Sequence, residues 1–147
     1  IVARGKKAGP VLGVTAAVHG NELNGISVIH RLFKEIDIDE LSGTIVAAPV
    51  VNVPSFMRKK RRFNDGVDLN HIMPGKDNGN VSQVYAYRFF HRLVQHFDYL
   101  LDLHTASFGR INSYYIRADM HDLKVRKLIQ ARPADLKVLE TLVQSDL

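Results

Sequence analysis

Val11 to Gly25 reads VLGVTAAVHGNELNG, and the change of character within it decides the fold. Val11 to Val18 is short, apolar and β-rich, the composition of a strand buried on both faces. From Glu22 to Ile36 the pattern switches. Ile26, Ile29, Leu32, Phe33 and Ile36 recur at helical spacing, which predicts an amphipathic helix. Thr44 to Val51 (TIVAAPVV), following Ser42-Gly43, repeats the buried-strand pattern, and Tyr99 to Leu103 (YLLDL) repeats it again. Ser82 is read as the N-cap of a second helix, with Val84, Tyr87, Phe90, Val94 and Phe97 as its apolar stripe. Asn112 to Arg117 is read as a fourth strand, and Asp122 to Gln130 and Asp135 to Val143 as helices. Strands alternating with helices at crossover spacing predict a three-layer α/β fold. Its central sheet is mostly parallel or mixed, with helices on both faces. Ligands of such sheets bind beyond the carboxyl ends of the strands, where His19, Asn52 and His104 fall.

The 147 residues are 46% apolar and 24% charged, enough for one domain with a hydrophobic core. No apolar run is long enough to cross a bilayer, so no membrane partner is expected. There is no cysteine, which rules out disulfides and thiolate metal sites and suits a cytoplasmic protein. A metal would have to be held by His, Asp and Glu. The net charge of +5 is concentrated in Arg58, Lys59, Lys60, Arg61 and Arg62, without which the chain is neutral. Such a patch fits a solvated loop or a lure for acidic substrates. It lacks the aromatic interleaving of a nucleic-acid surface, so no nucleic-acid partner is expected.

Asn52 to Asn80 carries Pro54, Gly66, Pro74, Gly75 and Gly79 with little apolar periodicity. Long stretches of this kind in compact domains are functional or disordered.

The sharpest local signal is His19-Gly20-Asn21-Glu22. An imidazole and a carboxylate three residues apart on a strand-to-helix turn can converge on one cation. Gly20 is expected to let the backbone turn tightly. Glu22 is expected in the first helical turn, where its charge suits the dipole. Taken alone, the pair also fits a histidine bonded to the backbone and a capping glutamate. His104, arriving from another strand end, supplies the third donor of a two-histidine, one-carboxylate site with an open position. Asp102, two residues earlier and on the same side of the strand, can orient the His104 ring or a nearby water. His30, His91, His96 and His121 are read as structural or surface residues.

Four motifs then stand in order: Val14 to Gly25, Asn52-Val53-Pro54-Ser55-Phe56, Asp65 to Asn70 with Pro74-Gly75, and Asp102-Leu103-His104-Thr105. Together, over roughly Gly9 to Met120, the chain resembles the succinylglutamate desuccinylase and aspartoacylase family, a branch of the zinc carboxypeptidase-like hydrolases. The resemblance implies one zinc ion held by His19, Glu22 and His104, and hydrolysis of the amide of an N-acyl amino acid or a related small anionic amide. It implies that Arg61, or Arg62 after a one-residue shift, polarises the scissile carbonyl or holds an anionic group. It places Asn52 at the substrate, and makes Asn70 a ligand for a substrate carboxylate. An Arg ordinarily follows that Asn, and here position 71 is His. An imidazole cannot reproduce the fixed, permanently charged fork of a guanidinium, so His71 is either a substrate contact or a surface residue.

The resemblance also implies a proton-shuttling glutamate well after His104. Glu140 is the only glutamate there, and its helical context reads as a solvated charge. The expectation is a single catalytic domain over 1–147, incomplete at its carboxyl end, that binds zinc and turns over little unless more chain follows. A carboxypeptidase-like metallopeptidase and a catalytically silent metal-binding domain stand as alternatives. A homo-oligomer remains open.

Overall fold

The computed structural model describes residues 1–107, 110–111 and 115–129. The backbone groups of β2 (Lys7–Ala16) pair in parallel on both sides, with β3 (Ser42–Ala48) and with β4 (Tyr99–Leu103). A short antiparallel strand, β1 (Val2–Arg4), closes the outer side of β3, giving a mixed sheet of order β1-β3-β2-β4. The mixed α/β architecture stands as read.

Alternation along the strands sends two sets of side chains to two faces. Val14, Ala16, Ile45, Ala47 and Leu103 meet Ile29 of α1 (Asn24–Glu35) on one face, with Val28, Leu32, Phe33 and Ile36 packed against them. Ile29 is fully buried; withdrawing one such side chain from water contributes about 1.5–3 kcal/mol. The opposite face takes Gly13, Thr15 and Asp102. A Cβ at Gly13 would collide with the Phe97 ring, so glycine lets that aromatic lie flat on the strand. Phe97 follows α3 (Val81–Arg92) and a 3-10 turn, Val94–His96. A second apolar cluster of Val18, Val51, Phe63 and Leu69, with Tyr85 and Phe89 of α3, fastens the long loop to this face.

Several expectations need correction. Helix α1 begins at Asn24, leaving Glu22 ahead of it and no acidic residue in its first turn. The side chain of Glu22 is claimed by other partners, described below. Asn80, not Ser82, caps α3: its side chain accepts from Gln83 N while the Gln83 side chain accepts from Asn80 N, a reciprocal capping box. Ser82 lies inside the helix, with its amide bonded to Asp65. The helix stops at Arg92, short of Val94 and Phe97. Among the described residues the sheet's remaining strand is β1, and the strand read at Asn112 to Arg117 falls only partly on described residues. Residues 115–117 are not strand, and 112–114 lie outside the described residues. Helix α4 (Leu123–Ile129) occupies the stretch read from Asp122; the helix expected at Asp135 to Val143 lies outside the described residues. The loop from Asn52 to Asn80 holds helix α2 (Val53–Met57) and a 3-10 turn at Leu69–His71. Among the described residues, no helix is long and apolar enough to cross a membrane.

Candidate metal centre

Strand β2 ends at Ala16, and the chain turns at once: Ala17 takes a left-handed φ of 52°. The turn is held from the neighbouring strand end, where Val51 N donates to Ala16 O and Asn52 N to Ala17 O. The Asn52 amide is fully buried, donating through Nδ2 to Val18 O at 2.9 Å and accepting from Ser55 N at 3.2 Å. Both ends of that side chain therefore hold backbone, and what they position is His19. Gly20 is required because its α-carbon presses on α2, where a Cβ would strike the backbone of Ser55 and Phe56. Close approach, rather than a left-handed turn, explains this glycine.

His19, Glu22 and His104 are all buried and converge. His19 Nδ1 lies 2.8 Å from Glu22 Oε1, and His104 Nδ1 lies 3.0 Å from Glu22 Oε2. The two Nδ1 atoms are 3.2 Å apart. Thr105 N donates to Glu22 Oε2 at 3.2 Å, fixing the carboxylate from the end of β4.

Each imidazole is backed by a carboxylate. His19 Nε2 lies 3.0 Å from Asp68 Oδ1, and His104 Nε2 lies 2.8 Å from Asp102 Oδ2. A carboxylate accepts and does not donate, so each Nε2 carries a proton and each Nδ1 faces the centre. Two such nitrogens at 3.2 Å need a proton or a cation between them. A tetrahedral ion with bonds of about 2.0–2.2 Å would separate its ligand atoms by roughly 3.3–3.6 Å. The observed 2.8–3.2 Å falls about half an ångström short of that, so the three donors need only part slightly to admit an ion. Nitrogen and oxygen donors, buried, with carboxylates behind both rings, fit a zinc-type divalent ion.

The electrostatics agree. Burial pushes the Glu22 carboxyl up, but hydrogen bonds from His104 and His19 outweigh it and bring it down to about 2. Burial presses the His104 imidazolium down, while hydrogen bonds to Asp102 and Glu22 raise it to about 9. Asp68 is opposed by burial and lowered overall by His19, Asn70 N and Arg61.

Arg61 is where the cluster meets solvent. Its Nη1 donates to Glu22 Oε1 at 2.8 Å and approaches Ser107 Oγ at 3.4 Å, its Nε lies 3.3 Å from Asp68 Oδ2, and its side chain is 35% exposed. Arg62 turns outward, donating to Gly66 O at 3.2 Å from an exposed position. Asn70 follows Asp68 in the 3-10 turn, and its Nδ2 is buried without a hydrogen-bond partner. His71, next to it, is exposed. The structure thus joins His19, Glu22, His104, Asp102 and Arg61, seats Asn52 beneath them as a backbone clamp, and leaves Arg62 and His71 at the surface.

The sequence alone gives Asp68, Thr105 and Ser107 no place in the site; the structure brings all three to it. Asp68 had a visible signal, an acidic residue two before Asn70 within the Asp65 to Asn70 motif. The pairing with His19 spans 49 residues of sequence and has no local signature.

Residues 8–146 match the succinylglutamate desuccinylase/aspartoacylase catalytic domain. The N-alpha-acetyl-L-2,4-diaminobutyric acid deacetylase of Halomonas elongata is 32% identical over 106 residues, 71% of this chain and 30% of the deacetylase. Among solved structures, the succinylglutamate desuccinylase/aspartoacylase of Rhodobacter sphaeroides is 31% identical with a TM-score of 0.64, covering 72% of this chain and 32% of that one. The product-bound ectoine utilization protein EutE (DoeB) of Ruegeria pomeroyi is 30% identical with a TM-score of 0.62, covering 71% and 32%. The chain spans about a third of the length of these relatives.

Proposed function

The chain belongs to the succinylglutamate desuccinylase/aspartoacylase family, and from that membership we propose that it forms the zinc-holding part of a hydrolase that cleaves the amide of N-acyl amino acids or similar small anionic amides. The observation that carries this reading is the convergence of His19 Nδ1, Glu22 and His104 Nδ1, with a carboxylate fixing each ring from behind. A zinc ion held by these three supplies an acidified water and an electrophile for the substrate carbonyl.

The remaining chemistry belongs to the chain's own residues. Arg61 is permanently charged and half-buried at the mouth, so it can give up its contact with Glu22 and donate to an oxygen that gains charge as the amide is attacked. Asp68 holds Arg61 Nε and thereby limits where that guanidinium can swing. Asn70 offers a buried N–H without a partner, which a substrate carboxylate would satisfy. With His71 rather than a guanidinium beside it, the anion is held by a neutral donor and Arg61. The deacetylase relative acts on an N-acetylated amino acid, which favours a short acyl group here.

The test uses the full-length protein. Purified protein should contain one zinc ion per chain, hydrolyse N-acetyl amino acids in preference to short peptides, lose activity to a chelator and recover it with zinc. Preference for peptides would make it a peptidase, and a zinc-loaded protein that hydrolyses neither would make the site a silent one.

A further inference from the structure

Asp102 has two oxygens, and only one serves His104. The other, Oδ1, accepts a hydrogen bond from Thr15 Oγ1 at 2.6 Å. Thr15 and Asp102 are direct partners across the parallel pairing of β2 and β4, and Thr15 is 1% exposed. The terminal torsion of an aspartate is broad and one hydrogen bond does not fix the carboxylate plane. A second bond to the other oxygen does. The donor here has a stiff β-branched χ1 and stands on the central strand of the sheet. A short hydroxyl-to-carboxylate bond is among the stronger kinds, and consecutive bonds in a buried chain reinforce one another.

We propose that Thr15 is a positioning residue for the metal centre: its hydroxyl clamps the Asp102 carboxylate, which in turn aims His104 Nδ1 at the ion. The inference rests on the zinc-site reading above. The other imidazole is backed by a carboxylate that no strand residue holds among its described partners. Asp68, which backs His19, is held by Asn70 N at 3.1 Å and by Arg61 Nε at 3.3 Å, a loop amide and a half-exposed cation. Thr15 therefore gives the site one ligand whose direction is set entirely by the sheet.

The hydroxyl and the methyl of Thr15 have separable consequences. Zinc affinity, measured against a chromophoric chelator, should follow the hydroxyl. Thr15→Val should weaken it about tenfold, within the range for outer-shell partners, and Thr15→Ser should stay within about threefold of the parent. Thermal unfolding in excess chelator checks the metal-free fold separately: Thr15→Ser loses the buried methyl and Thr15→Val the bond to Asp102, so both should unfold below the parent and still cooperatively. If Thr15→Val does not fold, Thr15→Ala and Thr15→Ser make the comparison, since both lack the methyl and differ only in the hydroxyl. Serine should then bind zinc about tenfold more tightly than alanine. Equal affinities in folded proteins with and without the hydroxyl would overturn the proposal while leaving the zinc site standing. A parent protein that takes up no zinc would overturn both.

Discussion

The two histidines of the centre do the same work in different ways. His104 is built by the sheet: it follows β4, its backing carboxylate Asp102 lies on that strand, and Asp102 is gripped across the pairing by Thr15 on β2. His19 is built by loops: it follows a left-handed turn, and its backing carboxylate Asp68 comes from the long segment after β3. The sheet half is defined by regular backbone pairing, which carries both Asp102 and its partner Thr15. The loop half ends on Arg61, which touches both Glu22 and Asp68. On the proposed reading, one half would fix the ion and the other would connect it to whatever enters from solvent. A site that must hold a metal still and let a substrate exchange contacts has reason to divide itself in this way.

Removing a ligand should erase that difference. His19→Ala and His104→Ala should each reduce zinc affinity beyond the roughly 100-fold upper range for an outer-shell partner, read by chelator competition. Retention of stoichiometric zinc by either variant would remove that side chain from the centre.

One step out, the halves should diverge. Asp102→Asn and Asp68→Asn should each weaken zinc about 10- to 100-fold. Asp68→Asn should also raise KM for an anionic substrate, because Arg61 loses its anchor at Nε; Asp102→Asn should leave KM alone. Parallel KM changes in both would mean that Arg61 is positioned from elsewhere.

Protonation distinguishes ion from proton at the same atoms. With His104 raised to about 9, its pairing stabilises the metal-free fold fully below its ordinary value near 6.5 and ceases to do so as pH climbs through 9. Glu22, lowered from 4.5 to about 2, contributes above 4.5 and loses that contribution as pH falls toward 2. Metal-free protein should therefore lose thermal stability between pH 6.5 and 9. Zinc must displace the His104 proton, so its affinity should rise about tenfold per pH unit over that interval. A zinc affinity that ignores pH there would place the bound ion away from His104.

Legibility in the sequence divides along the same line. β4 was readable to the residue, because an apolar pentad carrying one carboxylate has few other interpretations, and His104 and Asp102 came with it. The reading of Val11 to Val18 overruns the end of β2 by two residues, since nothing in the Ala-Ala-Val run betrays that Ala17 takes a left-handed turn, and it misses the exposed start from Lys7 to Pro10, which lacks the apolar pattern. β1 was missed; three residues are too few for periodicity. Glu22 was assigned to the helix because its spacing from Ile26 and Ile29 fits, whereas its carboxylate is drawn ahead of the helix to two imidazoles and Arg61. The partner of His19 was hidden for a physical reason. Asp68 reaches it only after the Val18, Val51, Phe63 and Leu69 cluster folds the long loop back, and that cluster has no regular period.

Backbone strain offers the smallest and most local test of the two halves. Ala17 and Lys59 both take left-handed φ, 52° and 53°, one at the buried turn before His19 and one in the exposed basic loop before Arg61. For a residue with a Cβ that conformation costs about 1–2 kcal/mol, and glycine relieves it at an entropic cost of about 0.5–1 kcal/mol. Lys59 is exposed, so Lys59→Gly should stabilise by roughly 1 kcal/mol or a little less in chemical denaturation. Ala17 is 0% exposed, and Ala17→Gly also surrenders a packed methyl. That loss of about 0.8 kcal/mol offsets the gain, leaving stability nearly unchanged. The difference between the two variants measures how firmly the turn ahead of His19 is packed. If Ala17→Gly gained as much as Lys59→Gly, the methyl would add no packing energy, and the Asn52 clamp alone would hold His19 in place.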